Sequence, residues 1–248
     1  MTAALGLLLL ATALGYAATA IAGPALSPPP AAVVLHLLGL AAGGDLVIET
    51  MRTLSRGALG ILIANLLGVG AGLAAGCSTR LVRLLRPALT GLNACPPVVW
   101  ISLAMVWMGT GGAVPTVAVV AGTLPPVFLA TLEGVASQDP RLRAMSRAFA
   151  VLAPVRLTRM VIPGVFPFWL AAFAHTSSAA WKLAAVAEYL GAADGLGARI
   201  YWAYRRLDME GLYAWTAVVV ALGVLVDAGL IARLRRPVRS ARRGEAAP

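Results

Sequence analysis

The chain has 248 residues, is 60% hydrophobic and only 12% charged, with a mean hydropathy of +0.84. Soluble globular chains carry about 25% charged residues, so half that share excludes an ordinary soluble domain and points to lipid as the solvent. The net charge of +10 does not signal nucleic acid, because the arginines sit in short clusters between apolar blocks of membrane-spanning length, as cytoplasmic loops do.

The spans follow in order. A hydrocarbon core of about 30 Å needs about 20 apolar residues as helix. Residues 3–22 qualify. Small residues around Ala18 and Ala20 look like a cleavage site, but the first basic residue is Arg52. The positive n-region of a signal peptide is therefore missing, and a retained first helix is expected. Residues 31–42 are too short to cross alone and are expected to be interfacial or re-entrant. Residues 57–76 form the second span, rich in glycine and alanine that permit close helix packing. Residues 97–108 are apolar but short, and are expected to extend backward as a third helix broken near Pro96-Pro97. The fourth, fifth and sixth spans are placed at 113–131, 163–187 and 212–234. Cys77 and Cys95 have no metal spacing and are too few for a disulfide framework, so no metal or cofactor is expected.

Charge asymmetry sets orientation. With the N-terminus inside, 14 arginines fall in inside loops or the tail: Arg80, Arg83 and Arg86, then five between Arg141 and Arg159, then six from Arg233 onward. Arg52, Arg56, Arg199, Arg205 and Arg206 fall outside. Both termini are therefore expected in the cytoplasm.

One cytoplasmic element is unusually ordered. Asp139-Pro140 is a helix start, Asp as N-cap and Pro at the first helical position. Leu142, Met145, Phe149 and Leu152 then make one apolar stripe, with Arg143 and Arg147 on another face. Pro154 is expected to end a helix of about 12 residues, roughly 18 Å long, and Pro163 to start the next span. Two readings fit: a basic helix lying on anionic headgroups, or a handle for another protein.

The fifth span carries the polar residues of the membrane interior. His175, Ser178 and Lys182 share one helical face. An ionisable group at the bilayer centre costs about 2.5–3.5 kcal/mol on insertion scales and tends to face a cavity or a partner. Either this stripe lines a route on which Lys182 attracts an anionic solute, or the hydroxyls bond their own helix and Lys182 snorkels outward. Glu188 lies beyond it, as a carboxylate bonded to the Gly195–Gly197 turn or as a solute contact. His36 is expected to be packed or interfacial, and Asp227 to pair within the bundle rather than to move protons.

The order Glu133-Gly134, Asp139, Arg147-Ala148-Phe149-Ala150, Ile162-Pro163 and Pro167 resembles the EAA loop of ABC-importer permeases, most closely the nitrate/sulfonate/taurine type. Pro96-Pro97 to Trp100, then Val106-Trp107-Met108-Gly109-Thr110-Gly111, is similar to that family's proline-to-"WFG.G" segment. Ala180-Trp181 through Glu188, followed by Gly195-Leu196-Gly197, is similar to its "W…AE…GLG" ending. The resemblance spans residues 46–236. Two positions depart from the pattern: Ala150 stands for a glycine and Ser102 for a proline. Alanine permits the close approach where the backbone is not left-handed, so coupling is expected to survive.

The resemblance implies an all-α, polytopic membrane helical bundle of about six transmembrane helices, like a type I ABC-importer permease. Its expected organisation is an N-terminal helix and interfacial segment over 1–42, a permease domain over 43–236 with its coupling loop at 133–162, and a basic tail over 237–248. It implies a homodimer in the inner membrane that meets two copies of an ATP-binding cassette ATPase and an extracytoplasmic solute-binding protein. The coupling residues implied are Glu133, Gly134, Asp139, Arg143, Arg147, Phe149, Ala150 and Pro163. No GxxxxGK followed by Ser or Thr occurs, so ATP hydrolysis belongs to another polypeptide. The solute expected is small and anionic or zwitterionic. The rivals are a secondary transporter or channel, expected to show two related halves, and an embedded enzyme, for which HExxH, GxSxG and clustered acids are missing.

Overall fold

A computed structural model describes residues 12–231 apart from 14, 18 and 22. Most of the first expected span and the whole basic tail lie outside the described residues. Among the described residues there is helix and no strand.

The elements are α1 (Pro30–Gly43), α2 (Asp45–Gly76), α3 (Thr79–Ala94), α4 (Pro97–Met108), α5 (Ala113–Ala136), α6 (Pro140–Ala148), α7 (Ala153–Arg156), α8 (Ile162–Gly191), α9 (Leu196–Arg206) and α10 (Met209–Val226). A wider π-type turn, Leu157–Val161, joins α7 to α8, and a second, Asp227–Ile231, follows α10. Among the described residues, four runs are long and apolar enough to cross a bilayer: Asp45–Gly76, Ala113–Ala136, Ala153–Gly191 and Met209–Gly229. The third expected span is a broken pair, α3 and α4, bent by 100°. Its break falls where Pro96 and Pro97 remove two backbone donors.

α2 is longer than expected. It begins 12 residues before Gly57, so Arg52 and Arg56 are helical rather than part of an outside loop. No glycine or proline interrupts the run between Asp45 and Gly57, and its charges find partners at the end of α8.

The close packing expected of its small residues is present. A Cβ on Gly60, Gly68, Gly72 or Gly76 would lie 2.6, 2.9, 2.7 or 2.5 Å from Val119, Val127, Thr131 or Val135. Each pair is 59 positions apart, so α2 and α5 run parallel in fixed register. Ala64, fully buried, continues the stripe. Side chains this small let two backbones approach until dispersion holds them, the main attraction between helices in lipid.

α8 runs antiparallel to both, because Gly134 of α5 meets Val165 and Phe168 while Gly122 meets Leu183. A polar bridge ties α8 to α2 at mid-length, where the Trp169 indole donates to Asn65 Oδ1 at 2.9 Å. One end of the bundle therefore gathers the start of α2, the end of α8 and the start of α9. The other gathers the ends of α2 and α5, helix α3 with Arg80, Arg83 and Arg86, and the α6–α7 loop. α3 is amphipathic: Val82, Leu85 and Leu89 pack on the core residues Ala75, Phe128 and Leu132, while its arginines stay exposed.

Candidate functional site

α6 is a short rod held clear of the bundle. The Asp139 carboxylate accepts from the Arg141 amide at 2.8 Å, satisfying a donor at its start. It ends at Ala148, earlier than expected. The Val151 amide donates to the Ser146 carbonyl and the Ala150 amide to that of Arg147, the paired bonds of a Schellman ending. Ala150 holds φ at +47°, the left-handed region that glycine favours. The backbone at this departure is thus left-handed, the case in which alanine is strained. Pro154 does not stop α6; it sits in the first turn of α7, whose N-cap is Leu152. Pro163 stands in the first turn of α8, as expected, but it does not begin the helical run. The chain is helical from Ala153 onward, and the π-type turn just before Pro163 is where a helix absorbs a residue that cannot donate to its ladder.

The expected stripe survives in part. Leu142, Met145 and Phe149 are exposed on the rod, Phe149 at 75%, while Leu152 has left it for the next turn. The first three border a cleft of about 360 Å³ that also touches Val155, Arg156 and Arg159. Arg147 is exposed. Arg143 is half-buried and bent back, its Nη2 donating to the carbonyls of Val135 at 2.6 Å and Ala136 at 3.0 Å. Glu133 is exposed on the last turn of α5, one residue before Gly134, which is buried against α8.

His175, Ser178 and Lys182 do share one open face of α8. The Ser178 hydroxyl donates to Asp227 Oδ1 at 2.7 Å, so Asp227 pairs within the bundle. Lys182 is exposed, its Nζ 5.5 Å from the centre of the Trp181 ring. Glu188 does not join them: it is fully buried on the side of α8 that faces α2.

There it bonds the Gly195–Gly197 turn, the first of its two expected roles, within a larger cluster with α2 and Asp194 that sequence reasoning missed. Glu188 Oε2 accepts from the Thr53 hydroxyl at 2.7 Å and the Gly197 amide at 3.2 Å, and Oε1 accepts from Arg56 at 2.8 Å. Arg56 also donates to the side chain and carbonyl of Asp194. Buried Glu49 accepts from the Gly195 amide at 2.6 Å and from Arg52 and Arg199. The first three amides of α9's start, at Gly195, Leu196 and Gly197, are thus satisfied by Glu49, Thr53 and Glu188. The amide-rich end of a helix favours negative charge, and here the chain supplies its own. The glycines follow: Gly195 has φ of +101°, and a Cβ on Gly197 would strike the Ala185 carbonyl. The available signal was Glu49, Arg52, Thr53 and Arg56 on one helical face. Asp194 lies in the loop outside the spans, and the hydrogen bond from Arg56 holds its carboxyl below the ordinary carboxylate range.

Comparison with known proteins agrees with this architecture. The family described as binding-protein-dependent transport system inner membrane component matches residues 64–239. The chain is 29% identical over 219 residues to the taurine transport system permease protein TauC of Escherichia coli strain K12, covering 86% of this chain and 79% of that one. It is 26% identical over 200 residues to the putative aliphatic sulfonates transport permease protein SsuC of Bacillus subtilis strain 168, covering 81% and 72%. An inward-facing structure of the MetNI methionine ABC transporter superposes with a TM-score of 0.66 at 15% identity, over 79% of this chain and 99% of that one.

Proposed function

The chain belongs to the family of binding-protein-dependent transport inner-membrane components, and from that premise we propose that it carries a small anionic or zwitterionic solute inward, driven by a separate ATP-binding cassette subunit docked on α6. A homodimer meeting two ATPase copies and an extracytoplasmic binding protein is the assembly this requires. Residues 43–236 form the permease unit, and both termini lie in the cytoplasm. The observation that carries this reading is Phe149, a large aromatic 75% exposed at the tip of a capped, basic rod. An exposed aromatic beside Met145 and Leu142, rimmed by Arg147, has the make-up of an interface anchor. ATP-driven closure of the ATPase pair moves the rod, and the rod moves the spans.

The basic segments support the orientation. Arg80, Arg83 and Arg86 and the α6–α7 arginines share one end of the bundle. At the opposite end Arg52, Arg56 and Arg199 are matched by Glu49, Glu188 and Asp194. The solute class rests on the taurine and sulfonate permeases the chain resembles and on Lys182, an exposed cation on the same face of α8 as His175, two turns along.

The test is copurification from native membranes. The wild-type chain should bring a nucleotide-binding ATPase with it, and Arg147→Glu with Phe149→Ala should lose it. Retained association in that variant removes α6 from the interface, and solute flux by the isolated chain with no ATPase turns the reading into a secondary transporter.

A further inference from the structure

Among the described residues α6 packs broadly on no other helix, so something else must fix its angle to the bundle. Among the described residues, its side-chain tether to a span is Arg143. Nη2 of that residue reaches the last carbonyls of α5, at 2.6 Å to Val135 and 3.0 Å to Ala136. Those carbonyls belong to the turn where a helix leaves acceptors unmatched and carries its negative end, so a guanidinium there gains hydrogen bonds and a favourable field. Gln138, in the turn between the two helices, donates at 3.4 Å to the carbonyl of Val161, a longer and weaker link to the π-type turn before α8.

We propose that Arg143 is a positioning residue that bolts the α6 rod to the end of α5, rather than part of the surface offered to the ATPase. The inference rests on the permease reading above. A push at Phe149 then passes into α5 by a charged, two-bonded strut. From α5 it passes into α2 along the glycine-lined register, where Val127, Thr131 and Val135 sit against Gly68, Gly72 and Gly76. Rod, α5 and α2 move as one body. α8 is joined to the rod through the π-type turn at Leu157–Val161 and packs on the same end of α5, where Gly134 meets Val165 and Phe168, so the push reaches it through α5 as well.

The experiment uses the full permease–ATPase complex. Cys77 and Cys95 are replaced by serine, and spin labels are placed at Arg141→Cys on the rod and Ser55→Cys on the far part of α2. Labelled chain is diluted with unlabelled chain so that one protomer carries the pair. In the wild-type background the label distance should be narrow and unchanged by trapped ATP. Arg143→Met should broaden it and make it respond to nucleotide, while ATPase copurification stays within about fivefold, as for a residue outside the interface hot spot. Arg143→Lys, which still donates to a carbonyl, should restore the narrow distance. Phe149→Ala should do the reverse of Arg143→Met, losing the ATPase and keeping the distance narrow. Loss of the ATPase in Arg143→Met makes it an interface residue and overturns the proposal, as does a distance that stays narrow in that variant or is already broad in wild type. A wild-type chain that brings no ATPase overturns the permease reading, and the strut's purpose with it.

Discussion

Arg56 of α2 and Glu188 of α8 meet at 2.8 Å although 132 positions separate them, the carboxylate fully buried and the guanidinium 13% exposed. Such a pair gains little over a well-packed apolar one, but removing one partner strands the other charge out of water. Arg56→Met should therefore cost about 3–5 kcal/mol. Adding Glu188→Gln should recover part of that loss, since a neutral amide no longer needs the cation. Thermal unfolding of the purified protein in detergent checks both variants. A single variant that melts like wild type removes the cluster as a clamp on α9.

The same cluster has a defined response to acid. Arg56 depresses the Asp194 carboxyl below its ordinary value of 3.8. A group depressed in the folded state stabilises fully above its unfolded value and ceases to do so as pH falls through the folded one. The difference in melting temperature between wild type and Asp194→Asn should therefore be constant from neutral pH to about pH 5 and shrink below about pH 4. The effect is small, since the side chain is 36% exposed and water screens it. A gap that widens on acidification contradicts the assigned direction.

What could be read from the sequence follows what each signal depends on. Span positions depend on apolar content within a short window, so α5, α8 and α10 lie near their expected places. The glycine-rich face of α2 was legible because every fourth position is small, though not that its partner would be α5 in parallel. The charged end was misread because counting arginines as loop residues assumes water around them. Arg56 instead finds its acceptors at Glu188 and Asp194, and no local pattern reports a contact 132 positions away. The end of α6 was misplaced for a related reason. A proline announces itself as a stop, whereas the turn at Ala150 is a backbone choice that alanine does not advertise.

That turn is open to improvement. A left-handed alanine costs roughly 1–2 kcal/mol relative to its usual conformations, and glycine avoids the Cβ clash. Ala150→Gly should therefore stabilise the closed end of α6 by about 1 kcal/mol, less than the full penalty because glycine loses more freedom on folding. Amide exchange at Val151 and Ala150, whose N–H groups make the closing bonds, should slow in the variant. ATPase copurification should be retained. Faster exchange in Ala150→Gly would show that alanine sits there without strain.

Lys182 makes the sharpest claim on the solute route. It shares the open face of α8 with His175 and Ser178, and the Ser178 hydroxyl is already committed to Asp227. Its ammonium stands 5.5 Å from the centre of the Trp181 ring, a contact that leaves hydrogen-bonding capacity for an anion. If the cation draws solute along this face, Lys182→Met should lower ATP-driven uptake in proteoliposomes about tenfold, the effect of about 1.4 kcal/mol of lost attraction. Lys182→Arg should keep most of it, and ATPase association should not change in either variant. Uptake unchanged in Lys182→Met assigns the side chain to the lipid interface instead, its ammonium reaching outward for water.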